Sequence, residues 1–248
     1  MTGLLDGLAP WPQADFAAFG PVQTRKLSKI QKLVGAFLGR NWVAIPHVTH
    51  QDDADVTDLE ARRLAHNSAG GGVKLTPVPL LVKAMASALR AYPQFNASLD
   101  GSRETLVLKD YVHIGVAVDT PGGLLVPVIR DCDRKSVSDI AAEISALSER
   151  ARTKGLPMAD MSGGCMTLTS LGHIGGTGFT PIVNAPEVAI LGVTRARPVA
   201  TPGPDGGIVW RQMLPLSLSY DHRVINGADA ARFVRHIAGR LADPALFD

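Results

Sequence analysis

The sequence predicts a mixed α/β fold in which one mixed β-sheet is covered by helices and preceded by an extended N-terminal arm. Three observations lead there. Segments with apolar residues at three- and four-residue spacing are interspersed along the chain with short β-branched runs. Some of those runs form hairpin-like pairs, as across Pro121-Gly122-Gly123, which a strictly alternating doubly wound sheet would lack. The chain has 248 residues, 46% hydrophobic and 19% charged, enough apolar side chain to fill one large interior.

Residues 1–22 are punctuated by proline and glycine and carry the isolated aromatics Trp11, Phe16 and Phe19 without helical or strand periodicity, so they read as an arm lying across a surface. Residues 23–248 read as one folded domain. Leu27, Ile30, Val34, Phe37 and Leu38 fall on one helical face. Thr57 with Glu60 is a capping-box signature before a short helix, and Pro77 sits near the start of a strongly apolar one that reaches about Tyr92. β signals occupy 105–108, 112–118 and 124–128. Ser136 and Asp139 mark the start of a helix carrying Ile140, Ile144 and Leu147 to about Arg152. Strands are expected at 165–169, 188–193 and 212–220, and a last helix places Ala230, Val234, Ile237 and Leu241 on one side. No internal repeat is present.

Several function classes drop out on composition. The formal charge is +2 and no long basic run occurs, which argues against a nucleic-acid track or a membrane-surface patch. No stretch of about 18 apolar residues occurs, and the N-terminus lacks a basic segment followed by an apolar one, so the expected setting is cytoplasmic. Cys132 and Cys165 lie far apart without CxxC spacing and read as buried, reduced thiols. His47 and His50 imitate a metal pair, but no third ligand accompanies them, so no metal site is expected. Gly172, Gly175, Gly176 and Gly178 do not make a GxGxxG nucleotide loop and read as tight turns.

The segment most suggestive of chemistry is Ser219-Tyr220-Asp221-His222-Arg223-Val224-Ile225-Asn226-Gly227, where an alternating strand ends in a charged turn before an amphipathic helix. His222 then sits at a strand end, where side chains commonly project into a cleft, although a histidine between Asp and Arg is by itself more often a surface or packing residue. Asn226, directly before the last helix, has the residue type and position of an N-cap. Ser170 follows a strand and by itself reads as a turn serine. Asp221 and Arg223 read as a structural charge pair.

That segment resembles the DHRxxxG signature of the 2-oxo acid dehydrogenase acyltransferases, a family sharing its fold with chloramphenicol acetyltransferase. The blocks WPQADFAAFG, LSKIQKLVGAFLGRNW, IPHVTH, VHIGVAVDTPGGLLVPV and FTPIVNAPEVAILGV are similar to the same catalytic domain, in order, from about Gly7 to the C-terminus. The resemblance implies transfer of an acyl group between dihydrolipoamide and coenzyme A. Only a thiolate attacks a thioester well, and a thiol of pKa about 8.5 needs a base near 6.5 to take its proton. By resemblance that base is His222, with its Nδ1 proton held by the residue's own main-chain carbonyl. Ser170, in Thr167-Leu168-Thr169-Ser170-Leu171-Gly172, matches the serine whose hydroxyl meets the oxyanion. Asn226 stands where members carry Asp or Asn, so hydrogen bonding and placement of His222 are implied rather than a charged role. Arg63 resembles a phosphate-contacting arginine for coenzyme A, against the common alternative of a solvated helix residue.

The resemblance further implies a homotrimer with active sites between subunits, and partnership with a lipoyl domain and the other components of a 2-oxo acid dehydrogenase complex. No lipoyl or subunit-binding domain is read in these residues, so dihydrolipoamide is expected in trans and the chain is not expected to be lipoylated. The arm and the RNWVAIPHVTH block most resemble bacterial pyruvate-complex members, which favours acetyl, with succinyl and branched-chain acyl groups still open. Family members join trimers into larger assemblies through an apolar C-terminal tail; here the tail is shorter and more acidic, leaving Leu246 and Phe247 as a small anchor beside Asp248, so a trimer with weak or absent higher assembly is expected. Two other functions share the fold: a non-catalytic core paralogue, which would need neither His222 nor Ser170, and an antibiotic O-acetyltransferase, which the arm and the 184–192 block disfavour.

Overall fold

A computed structural model describes residues 10–70 and 72–247. The elements in chain order are α1 (Lys29–Ala44), β1 (His47–Asp55), α2 (Thr57–Ser68), α3 (Pro77–Ala91), β2 (Ala97–Leu99), β3 (Leu106–Leu108), β4 (Ile114–Val116), β5 (Val118–Thr120), β6 (Gly123–Leu125), β7 (Val128–Ile129), α4 (Val137–Thr153), β8 (Met166–Ser170), β9 (Ala189–Val193), β10 (Arg197–Pro202), β11 (Ile208–Asp221) and α5 (Gly227–Ala242). The main sheet runs β1-β11-β9-β8-β4-β7, with β10 beside β11. It is mixed, as expected: β4, β8 and β9 are parallel, while β1, β7, β10 and β11 pair antiparallel. The pair across Pro121-Gly122-Gly123 is a hairpin, with Val118 opposite Leu125.

Helix α3 is apolar on nearly every side, so it can exist only as an interior helix. Leu80, Leu81, Val82, Met85 and Leu89 are all buried, between α4 and α5. Its start uses Pro77 in the first turn, where a missing N–H costs nothing. Ser136 accepts the amide of Asp139 and so caps α4. In the core Phe95 and Phe233 stack at 4.0 Å with planes 11° apart, and Tyr92 meets both edge-on. Truncating Phe233, fully buried from α5, would cost about 3–5 kcal/mol.

Three expectations change, and the helical face expected in α1 is found exposed. Thr57 does not cap α2: Val56 is the N-cap and makes no side-chain bond, the Thr57 hydroxyl donates to Asp55 and accepts from the Gln212 amide, and Glu60 is occupied by Arg63. Strands β1, β2 and β10 lie outside the segments expected to be strands, and β11 is longer than the expected 212–220. The apolar face of α1 does not reach this chain's core. Ile30, Leu33, Phe37 and Trp42 are exposed, and only Asn41 is buried, through a bond to the Val183 carbonyl. Finally, Leu246 is buried in the chain's own core with Phe247 packed beside it, so Leu246 is not a free anchor in this conformation. Asp248 and residues 1–9 lie outside the described residues. Of the arm, Trp11, Phe16 and Phe19 are exposed, the last two being the first and last residues of a single 3₁₀ turn capped by Asp15.

Candidate active site

The turn after β11 is held at several points. The Asp221 amide donates to Val188 at 2.8 Å and the His222 amide to Pro46 at 3.1 Å, tying the turn to the start of β9 and to the segment before β1. The Asp221 carbonyl accepts from Val224 and Ile225, which closes the turn. Its carboxylate is buried and grips Arg223 at two points, Oδ1 from Nε at 2.9 Å and Oδ2 from Nη2 at 2.6 Å, the charge pair expected from the sequence. Asn226 then caps α5, its Oδ1 accepting from the Asp229 amide at 2.9 Å and its Nδ2 donating to the Asp229 carboxylate at 2.7 Å. The clamped turn leaves His222 exposed, its ring 5.8 Å from that of Tyr220, while its exposed neighbours Arg223 and Asn226 are tied to Asp221 and Asp229.

The imidazole of His222 has no hydrogen bond among the described residues, so the bond to its own carbonyl that the resemblance implies is not formed here. Asn226 is likewise committed to its cap, without a bond to His222.

Ser170 ends β8 and is half-buried, its Oγ 3.4 Å from the Gly172 amide. The following glycines allow the chain to fold back: Gly175 and Gly176 have φ of 145° and 87°, and a Cβ on Gly172 would lie 3.3 Å from the Thr194 carbonyl. These are the tight turns expected. Strand pairing fixes where Ser170 stands relative to His222. Ser170 is opposite Val193, and Val193 opposite Leu216. The chain runs on from Leu216 along β11 and only then reaches His222, about 20 Å further at roughly 3.3 Å per residue. Serine and histidine of one chain therefore lie at opposite ends of the sheet.

Arg63 lies on α2, mostly buried, with its guanidinium on Glu60 at 2.7 Å and on the Leu75 carbonyl at 2.9 Å. It braces the chain entering α3, and the structure does not bring it together with either Ser170 or His222. His47 is spoken for at both nitrogens, Nδ1 by the Ile45 carbonyl and Nε2 by the Val183 amide, and no metal-holding cluster occurs among the described residues.

One polar group was missed. Glu187, at the turn into β9 and next to the carbonyl that receives Asp221, is fully buried and accepts from Thr167 at 2.7 and 3.0 Å. Burial pushes its carboxyl up to about 7, the Thr167 bond and the nearby Lys109 charge opposing. The available signal was a carboxylate at the head of the apolar run Val188–Val193.

The family model for 2-oxoacid dehydrogenases acyltransferase (catalytic domain) matches residues 19–247. A dihydrolipoyllysine-residue acetyltransferase component of the pyruvate dehydrogenase complex from Pseudomonas aeruginosa is 55% identical over 96% of this chain and 44% of its own length. The chain thus spans about two fifths of the length of such relatives. Among solved structures, an Azotobacter vinelandii dihydrolipoamide acetyltransferase, studied for the role of a serine, a histidine and an asparagine in its catalytic mechanism, is 50% identical with a TM-score of 0.93, covering 97% of this chain and 100% of that one. The cubic core of a pyruvate dehydrogenase multienzyme complex is 51% identical with the same TM-score and coverage. Chloramphenicol acetyltransferase, at 15% identity, a TM-score of 0.59 and coverage of 79% and 89%, shares the fold. The mixed sheet, the clamped turn at its edge and these matches together make the chain a member of the 2-oxoacid dehydrogenase acyltransferase (catalytic domain) family.

Proposed function

We propose that this chain transfers an acyl group, acetyl foremost, between dihydrolipoamide and coenzyme A, with His222 as base and Ser170 as oxyanion donor at a site shared between copies. The observation carrying this reading is a spacing: the serine, histidine and asparagine studied in the Azotobacter enzyme are separated by the same intervals as Ser170, His222 and Asn226. In the transfer, Nε2 of His222 takes the proton of the attacking thiol as its sulfur bonds to the thioester carbonyl carbon. The carbonyl oxygen becomes an oxyanion, accepting from the Ser170 hydroxyl. When the tetrahedral species collapses, the old carbon–sulfur bond breaks and the leaving thiolate takes the proton back from His222. One such donor typically supplies about 2.7–4 kcal/mol of transition-state stabilisation. A neutral His222 with its proton on Nδ1 is required, and within this reading the residue's own main-chain carbonyl accepts that proton once the ring turns onto it. Asn226 acts by placing His222 through its cap on α5, and Arg63 is the phosphate contact proposed for coenzyme A once its bond to Glu60 yields.

A homotrimer completes the site within this reading. The opposite-end placement of Ser170 and His222 supports it, since a serine from one copy must then serve the histidine of another. So does the apolar surface left exposed on α1 and the arm, larger than a lone chain in water favours. The 51%-identical neighbour forms a cubic core, and larger multiples of the trimer are part of the same reading, as are a lipoyl domain supplying dihydrolipoamide in trans, the other complex components, and a cytoplasmic setting. No helix among the described residues is long and apolar enough to cross a membrane.

The deciding experiment mixes two inactive chains. His222→Ala and Ser170→Ala, unfolded and refolded together in equal amounts, should recover about a quarter of wild-type transfer from acetyl-CoA to dihydrolipoamide, because that fraction of shared sites has both residues. Recovery no greater than the sum of the separate variants would refute the shared site.

A further inference from the structure

On the outer side of the helical layer, α3, α5 and the loop entering α4 enclose a depression of about 150 Å³ lined by Lys83, Ala86, Ser87, Arg90, Asp133 and Arg240. Lys83, Ser87 and Arg90 are spaced four and three residues apart and so share one face of α3. Arg240 comes from the last turn of α5, roughly 20 Å along that helix from the turn holding His222. The depression is therefore separate from the acyl-transfer site and does not depend on that assignment.

Three cations line it against one carboxylate, and their donors outnumber the acceptors they meet. Lys83 Nζ donates to the carbonyls of Asp133 at 3.2 Å and Lys135 at 2.6 Å, which leaves one N–H. Arg90 uses Nε and Nη2 on one Asp133 oxygen, at 3.0 and 2.5 Å, and keeps three more. Arg240 reaches Asp243 through Nη1, while its Nε is buried with no partner among the described residues. Ser87 Oγ lies 3.0 Å from His236 Nε2. Burial, and then the Arg240 charge, lower the His236 pKa and favour its neutral form. In the tautomer of neutral His236 that donates from Nε2, the Ser87 hydroxyl hydrogen is free for a ligand in the depression. Such a ring of unused donors under a net positive charge suits an anion rich in acceptor oxygens. The space, about 150 Å³ and open to solvent on one side, has room for a small polyatomic anion.

We infer that this depression between α3 and α5 is a binding site for a tetrahedral oxyanion, phosphate or a phosphate monoester, held by Arg90, Arg240, Lys83 and the Ser87 hydroxyl. Titrating the chain with inorganic phosphate at constant ionic strength, followed by amide chemical shifts, should give one saturable site with shifts centred on Ala86 and Ser87. Arg90→Gln and Arg240→Gln should each weaken binding about ten-fold, the loss of one charge-assisted contact, and Ser87→Asp, which places a carboxylate among the same cations, should abolish it. Circular dichroism identifies any variant that fails to fold, and the remaining ones decide. Tighter binding of glycerol 3-phosphate than of phosphate identifies an esterified ligand, and equal or weaker binding identifies the free ion. Shifts that are linear up to tens of millimolar, that are unaltered in all folded variants, or that vanish when coenzyme A is added would overturn the proposal, the last because the phosphate would then have been reporting the coenzyme site.

Discussion

Asp221 grips Arg223 on both carboxylate oxygens across the one position that carries His222, so the ion pair and the exposed imidazole belong to the same turn. The carboxylate is almost fully buried, whereas about a third of Arg223 reaches solvent. Arg223→Gln strands a buried charge, which for a fully buried pair costs about 3–5 kcal/mol; the solvent access of Arg223 reduces this to about 2–3 kcal/mol. Because the turn positions His222, kcat should fall with KM little altered. Denaturant unfolding and steady-state kinetics on one preparation test both parts, and an unchanged kcat would detach the clamp from catalysis.

His222→Ala removes an exposed ring that makes no hydrogen bond among the described residues, so stability should change by no more than about 0.5 kcal/mol. Transfer should fall by roughly 10² to 10⁴ in kcat, the share typical of a positioned general base. Ser170→Ala should lower kcat by about 10² through the missing oxyanion donor. Near-wild-type turnover in either variant returns that residue to a structural role.

Glu187 makes stability depend on pH in a direction opposite to that of an ordinary paired carboxylate. Its folded-state pKa is pushed up to about 7 from an ordinary 4.5, so the folded chain holds this proton more tightly than the unfolded one. Its contribution is complete below about pH 4.5, declines as pH rises through 7 and is constant above. At 1.36 kcal/mol per pKa unit the decline amounts to about 3 kcal/mol. Glu187→Gln should flatten this window and be more stable than the wild type at pH 8. Equal slopes between pH 5 and 8 in urea titrations of the two proteins would show that the carboxyl titrates normally.

Elements whose own residues determine them were legible in the sequence. Helices α3, α4 and α5 announce themselves through Pro77, Ser136, Asn226 and their apolar spacing, β8 through the alternation Met166-Thr167-Leu168-Thr169 and β9 through a continuous apolar run. Strand β1 was not legible, because His47–Asp55 is a polar stretch at the sheet edge whose Asp52, Asp53 and Asp55 find Arg235, Arg197 and Arg211 only after folding. Periodicity in α1 showed a face but not what the face meets. For the proposed site, Asp221-His222-Arg223 and Thr169-Ser170 are the residues the sequence singles out, whereas their separation is a matter of strand register, which depends on partners distant in sequence. Arg63 has a local partner, Glu60 one turn back, whose claim on it the resemblance did not include.

The exposed face of α1 leads to the last prediction. Leu33 and Phe37 are one turn apart on that helix and about half exposed, and Ile30 on the same face is exposed too. A helix presenting such a stripe to water gains nothing from it, whereas each large side chain fully buried against another copy contributes about 1.5–3 kcal/mol. Closed symmetry repeats that gain at every interface. Replacing Leu33 and Phe37 together by Asp should therefore split the proposed trimer, without touching the core, since neither side chain is buried in the single chain. The variant should scatter light as one chain where the wild type gives three or a multiple of three. It should keep its circular dichroism spectrum and lose transfer activity, even though His222 and Ser170 are both present, because a single chain holds them at opposite ends of its sheet. A monomeric variant that retained full activity would show that one chain completes the site alone, and a trimeric one would move the interface off α1.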